Sequence, residues 1–102
     1  MLQLRPNCEW CDKDLPPAAT DARICSFECT FCSECVETVL FNVCPNCGGG
    51  FAPRPIRPAG AWRPGVCLDK HPASTRRVHL KWPREEVAAF VRRVREIDPA
   101  DR

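Results

Sequence analysis

Eight of the nine cysteines lie between Cys8 and Cys47, in four closely spaced pairs. They run Cys8-x2-Cys11, Cys25-x3-Cys29, Cys32-x2-Cys35 and Cys44-x2-Cys47. Steps this short let one turn of chain place two sulfurs on the same ion. Eight thiols are ligand enough for two tetrahedral four-thiolate zinc sites. Residues 1–52 hold all four pairs and are too few to build a self-sufficient hydrophobic core. A region of that size needs a staple, whether metal, disulfide or partner.

The compartment decides which staple. The opening Met1-Leu2-Gln3-Leu4-Arg5-Pro6 has no apolar h-region. No stretch approaches the roughly 18 apolar residues of a membrane span. A cytoplasmic location is therefore expected, with no membrane partner. Thiols stay reduced there, and Cys-x2-Cys pairs ligate metal rather than cross-link. Two Zn2+ ions are the expected cofactors; an iron–sulfur centre and redox thiols are the alternatives. Pro45 pre-sets one φ of the last cysteine turn, and Gly48-Gly49-Gly50 after Cys47 can take the positive φ that such a turn requires.

Four pairs combine into two sites in three ways: sequential, nested or interleaved. The spacing alone leaves the three open. Val36, Val39, Leu40 and Val43 fall at helical spacing, so a short helix is expected after Cys35. Its apolar face, with Ile24, Phe27 and Phe31, is expected to supply a minimal core. Alternation in Arg23-Ile24-Cys25 suggests a short strand.

The formal net charge of +2 conceals an asymmetry. Residues 1–53 carry three basic and seven acidic side chains, whereas residues 54–84 carry eight basic side chains against Asp69 alone. Thiolate ligation would make the head more acidic still. The basic stretch either folds back on the head or meets an acidic partner or nucleic acid.

Four segments follow. Residues 1–52 form the double-zinc module. Residues 53–82 are a basic, Pro/Arg-rich arm or linker, extended because proline excludes helix and central strand. Residues 83–98 read as an amphipathic helix, with Val87, Phe90, Val91, Val94 and Ile97 on one face, Pro83 in the first turn, and Glu85 and Glu86 near the positive N-terminus. Residues 99–102 are a tail. The fold class expected is a small α+β zinc-stabilised module with an extended arm and a C-terminal helix.

The stretch Cys25-Ser-Phe-Glu-Cys29-Thr-Phe31-Cys32-Ser-Glu-Cys35-Val36 resembles the centre of a RING finger. That family carries an aromatic residue before its fifth ligand and an aliphatic one after its sixth, matched by Phe31 and Val36. Pro45 and Trp10 match two further flanking positions. The resemblance covers residues 8–47 and implies an interleaved cross-brace. Site one would then be Cys8, Cys11, Cys32 and Cys35, and site two Cys25, Cys29, Cys44 and Cys47. Cys29 stands where histidine is common. Gly48 replaces the basic residue that ubiquitin ligases often carry after the last ligand, and the tryptophan common between the sixth and seventh ligands is absent. A second resemblance spans about residues 1–79. The opening through Asn7-Cys8, the block from Asp21 to Cys32 and the segment His71-Pro-Ala-Ser-Thr75 are similar to a small bacterial family, domain of unknown function 1272. That family implies a cytosolic zinc protein and no particular activity.

Eight cysteines in two four-ligand sites close both ions, whereas a catalytic zinc keeps a position open. The chain is therefore expected to be a non-enzymatic module for a protein partner. Three alternatives stand beside it. One is nucleic-acid binding through Arg54, Arg57, Arg63, Arg76, Arg77, Lys81 and Arg84. Another is a RING-type ubiquitin-ligase-like activity, and the third a thiol redox or zinc sensor. Cys67, His71 and His79 could form part of a third metal site, although a buried thiol and two surface histidines explain them as well. The acids between the cysteines (Glu9, Asp12, Asp14, Glu28, Glu34 and Glu37) are expected to form a solvated shell.

Overall fold

A computed structural model describes all 102 residues. Its regular elements are short: strand β1 (Ala22–Ile24), strand β2 (Thr30–Cys32), helix α1 (Ser33–Thr38), strand β3 (Ala52–Pro53), helix α2 (Arg84–Val94) and a 3-10 turn at Pro99–Asp101. The sheet is antiparallel, in the order β2-β1-β3. Its register pairs Arg23 with Phe31 on one side and with Pro53 on the other.

The β1–β2 turn is Cys25 to Cys29. It closes through Glu28 N–H to Cys25 C=O (3.0 Å) and Cys25 N–H to Cys29 C=O (3.2 Å), with Glu28 at φ 66°. Its two cysteines face inward, so the intervening Phe27 faces out and is 70% exposed. Phe27 therefore does not join the core expected of it. Phe31 does, fully buried and edge-on to Phe51, with ring centroids 5.4 Å apart.

Helix α1 starts directly after β2 and stops at Thr38, short of the helical face expected to reach Val43. Phe41 and Asn42 both take left-handed φ (46° and 61°) and turn the chain sharply, bringing Cys44 back toward the core. Val36, Leu40 and Val43 are nevertheless all buried. The core mixes these aliphatic side chains with six buried cysteines (Cys8, Cys25, Cys29, Cys32, Cys35 and Cys44), and Val87 and Val91 of α2 complete it.

After β3 the arm lies over the head. Ser74 N–H donates to Leu4 C=O (3.0 Å), Val78 N–H to Asn7 Oδ1 (3.1 Å) and Leu80 N–H to Glu9 C=O (3.0 Å), so residues 74–80 run beside residues 4–9 in the same direction. The basic side chains are partly consumed by this docking. Arg54 is buried and donates to the carbonyls of Arg5, Leu15 and Pro16. Arg57 donates to the carbonyls of His71 and Leu2. Arg77 forks onto Asp12 and Asp14 at 2.9 and 2.7 Å. Of the seven cations named for nucleic acid, Arg63, Arg76 and Lys81 are exposed without an acidic or carbonyl partner.

Helix α2 ends at Val94, four residues before the expected boundary. Pro99 disfavours helical geometry at Asp98, which is extended (φ −55°, ψ 135°), so the chain must leave the helix before it. Ile97 falls beyond the helix and is exposed, which removes it from the apolar stripe.

Candidate metal centre

Each cysteine pair sits on its own turn, and the turns are brought together by the hairpin and α1. Cys8 N–H donates to Lys13 C=O and Asp12 N–H to Cys8 C=O (both 2.9 Å), closing the first loop. Gly48 N–H to Cys44 C=O (2.7 Å) and Cys44 N–H to Gly49 C=O (2.8 Å) close the last. Gly48 is at φ +82°, where a side chain would strain the backbone. The sulfurs of Cys8, Cys11, Cys32 and Cys35 all lie within 4.8 Å of one another, as do those of Cys25, Cys44 and Cys47. Cys29, the partner of Cys25 in the second pair, is buried beside this group, although its sulfur does not lie within 4.8 Å of all three. The first pair thus groups with the third and the second with the fourth, leaving neither the sequential nor the nested combination.

The donor set fits a tetrahedral ion. Four sulfurs at a zinc–thiolate distance of about 2.3 Å would be spaced about 3.8 Å apart along each tetrahedral edge. The Cys11 and Cys32 sulfurs are 3.8 Å apart. Backbone N–H groups point at the sulfurs as well, Phe27 N–H at Cys25 (3.3 Å) and Gly49 N–H at Cys47 (3.4 Å). Such donors stabilise thiolate without supplying a full charge.

Clustered thiols resist losing all their protons. The Cys44 thiol donating to it, with Asn46 and Cys25 adding to the effect, pulls Cys29 down to about 5. Burial pushes Cys25 up to about 11 and raises Cys35 and Cys8. The hydrogen bond to Cys29, followed by burial, holds Cys44 high. In the second cluster one thiolate, Cys29, is therefore readily formed, whereas further ones would accumulate uncompensated charge. A cation at the centre of each cluster removes that obstacle, which is why metal binding at such sites displaces protons.

Two polar residues brace the sites. Glu9 is buried rather than part of a solvated shell. It accepts from Thr30 N–H (2.9 Å) and Arg5 Nη1 (3.0 Å) through Oε2, and from Asn46 Nδ2 (3.2 Å) through Oε1. It therefore ties the Cys8–Cys11 loop to the Cys44–Cys47 loop and to the start of β2. Asn7, also fully buried, donates to Asp12 Oδ1 (3.0 Å) and to Val78 C=O (2.8 Å). Neither role was apparent in the sequence, where Glu9 looks like any surface acid; its position inside the first cysteine turn, between Cys8 and Cys11, was the available hint. Glu9→Ala leaves the N–H of fully buried Thr30 without its acceptor and is expected to cost about 1–3 kcal/mol. Urea unfolding of the metal-loaded protein measures this, and a loss below about 0.5 kcal/mol would refute the bracing role.

The third site does not assemble. Cys67 is buried, His71 reaches it only through His71 N–H to Cys67 C=O (3.0 Å), and the exposed His79 ring bonds Asp12 Oδ1 at 3.1 Å. The three do not form a ligand group. Of the other acids between the cysteines, Asp12, Asp14, Glu34 and Glu37 are exposed as expected and Glu28 is half-buried. No helix is long and apolar enough to cross a membrane.

A family model described as protein of unknown function (DUF1272) matches residues 1–57. The chain is also 60% identical over 78 residues to "Uncharacterized protein R02474" of Rhizobium meliloti (strain 1021), an alignment covering 76% of this chain and 86% of the relative. No solved structure matches.

Proposed function

This chain belongs to the DUF1272 family of proteins of unknown function, and from that premise we propose that it is a zinc-stabilised, non-enzymatic interaction module. The observation that carries the reading is the interleaved grouping of the cysteine pairs, with Cys8, Cys11, Cys32 and Cys35 in one cluster and Cys25, Cys44 and Cys47, with Cys29 beside them, in the other. All-thiolate tetrahedral sets suit zinc or iron–sulfur, and zinc in such a set closes the site without redox chemistry. Each ion would be saturated by protein ligands and so would fold the chain rather than activate a water.

What surrounds the sites weighs against two of the alternatives. The position that follows the last ligand, Gly48, is packed against the Phe90 ring, and Trp10 lies under the Arg84 guanidinium at 4.4 Å. A conjugating enzyme would find both covered, which disfavours the ligase-like alternative. A nucleic-acid role would have to rely mainly on Arg63, Arg76 and Lys81, since Arg54, Arg57 and Arg77 are engaged and Arg84 covers Trp10.

Zinc K-edge absorption on the reduced, full-length protein tests the closed-site reading. The expected shell is sulfur only, at about 2.3 Å. A fitted oxygen or nitrogen ligand would indicate an open position and reopen a catalytic role.

A further inference from the structure

We infer that residues 82–102 form a latch held closed by the metal-bound shape of the Asn42–Gly50 loop, so that occupancy of site two controls exposure of the apolar face of α2. The inference rests on the metal reading above and adds a consequence to it.

No backbone–backbone hydrogen bond joins residues 82–102 to the rest of the chain. The crossing hydrogen bonds come from side chains alone. Trp82 Nε1 donates to Asn46 Oδ1 (3.0 Å), Arg84 Nη2 to Trp10 C=O (3.4 Å), and Arg102 Nη1 to Asn42 C=O (2.8 Å) and Gly48 C=O (3.1 Å). Three of these four acceptors lie in the loop that carries Cys44 and Cys47. While Val87 and Val91 enter the core, two further apolar contacts reach the same loop. Phe90 packs against Gly48 so closely that a Cβ would meet the ring at 3.4 Å, and Pro99 sits over Gly50.

The ends of that loop are held by Asn42, through Val36 C=O and Phe51 N–H, and its middle by Asn46 on Glu9. Its hydrogen bonds at Cys44, Gly48 and Gly49 surround the two ligating sulfurs, so the ion fixes the surface that α2 recognises. The helix cannot hold its own shape. Eleven residues are fewer than the roughly 12–15 at which isolated helices become even marginal in water. Once undocked, α2 frays and exposes Val87, Phe90, Val91 and Val94. Segments held by side-chain contacts alone open first. Coupling of this kind is reciprocal: whatever the ion contributes to docking, docking returns to ion affinity.

The test uses the full chain loaded with zinc. In Cys47→Ser, which alters an exposed ligand of site two, amide exchange across residues 85–94 is expected to quicken by about tenfold or more, while Arg23 and Phe31 in the sheet change far less. In Cys11→Ser, the exposed ligand of site one, α2 is expected to stay closer to wild type. Should Cys47→Ser fail to fold, Phe90→Ala supplies the reciprocal measurement. One of its two zincs is expected to pass to a competing chelator about tenfold more readily than in wild type, the other unchanged. Equal α2 protection in wild type and Cys47→Ser, or wild-type zinc release from Phe90→Ala, overturns the latch. Wild-type protein that binds no metal instead overturns the reading beneath it, and native mass spectrometry of the same samples tells the two apart.

Discussion

Stripping both ions from the reduced protein is expected to unfold residues 1–52 without any denaturant. The strands are two or three residues long and α1 has six. The whole chain makes 40 backbone–backbone hydrogen bonds over 102 residues, well below the roughly 0.7 per residue of an ordinary globular domain. On the proposed zinc reading, the metal supplies what the backbone lacks. A structural zinc contributes on the order of 10–16 kcal/mol in small zinc domains, against net stabilities of about 5–15 kcal/mol. Losing two such ions exceeds any margin the packed core can provide. Circular dichroism and near-UV absorbance during titration with a strong chelator would record the collapse, and added Zn2+ should reverse it. Acidification should act in the same direction, because protons compete with the ion for each thiolate. A native spectrum after complete metal loss would contradict this expectation.

The second large effect is expected at Arg54. Its guanidinium is buried, at 4% exposure, and bridges three carbonyls from the N-terminal segment and the Leu15–Pro16 turn. Burial lowers its pKa, opposed by Asp21, but an arginine so placed remains charged. Arg54→Met removes the fork and leaves the carbonyls of Arg5 and Leu15 without their donor, Pro16 C=O keeping Ala19 N–H (2.9 Å), at a cost of about 3 kcal/mol. Lysine can reach one or two of the three acceptors but not span them, so Arg54→Lys should fall between methionine and wild type. Urea midpoints of the metal-loaded variants measure the order. Methionine within about 0.5 kcal/mol of wild type would show that the arm docks by other contacts.

The clustering of the cysteines was legible because spacing along the chain dictates which sulfurs can share a turn. The grouping of the pairs was not fixed by spacing: three combinations satisfy it, and the resemblance to a known finger favoured the one that the hairpin and α1 build. The stripe of α2 was legible from its period, and Asp98-Pro99 carried the signal for its early end. Phe27 misled because an aromatic residue between two inward-facing cysteines must point outward. Arg54 and Glu9 were illegible for a different reason. A charge is buried only when chain distant in sequence arrives to satisfy it, and the partners of Arg54 are 38 to 49 residues away. Neither periodicity nor composition reports such a meeting. The basic run between residues 54 and 84 suggested an external anion for the same reason, yet much of it answers acids and carbonyls of its own head.

The most direct measurement is the metal content of the untagged, reduced protein by native mass spectrometry, with a visible absorption spectrum of the same sample. Two zinc ions per chain and no colour are expected from two closed four-thiolate clusters. A protein that carries no metal while remaining folded, or a brown one that carries iron, would contradict that structural role for zinc.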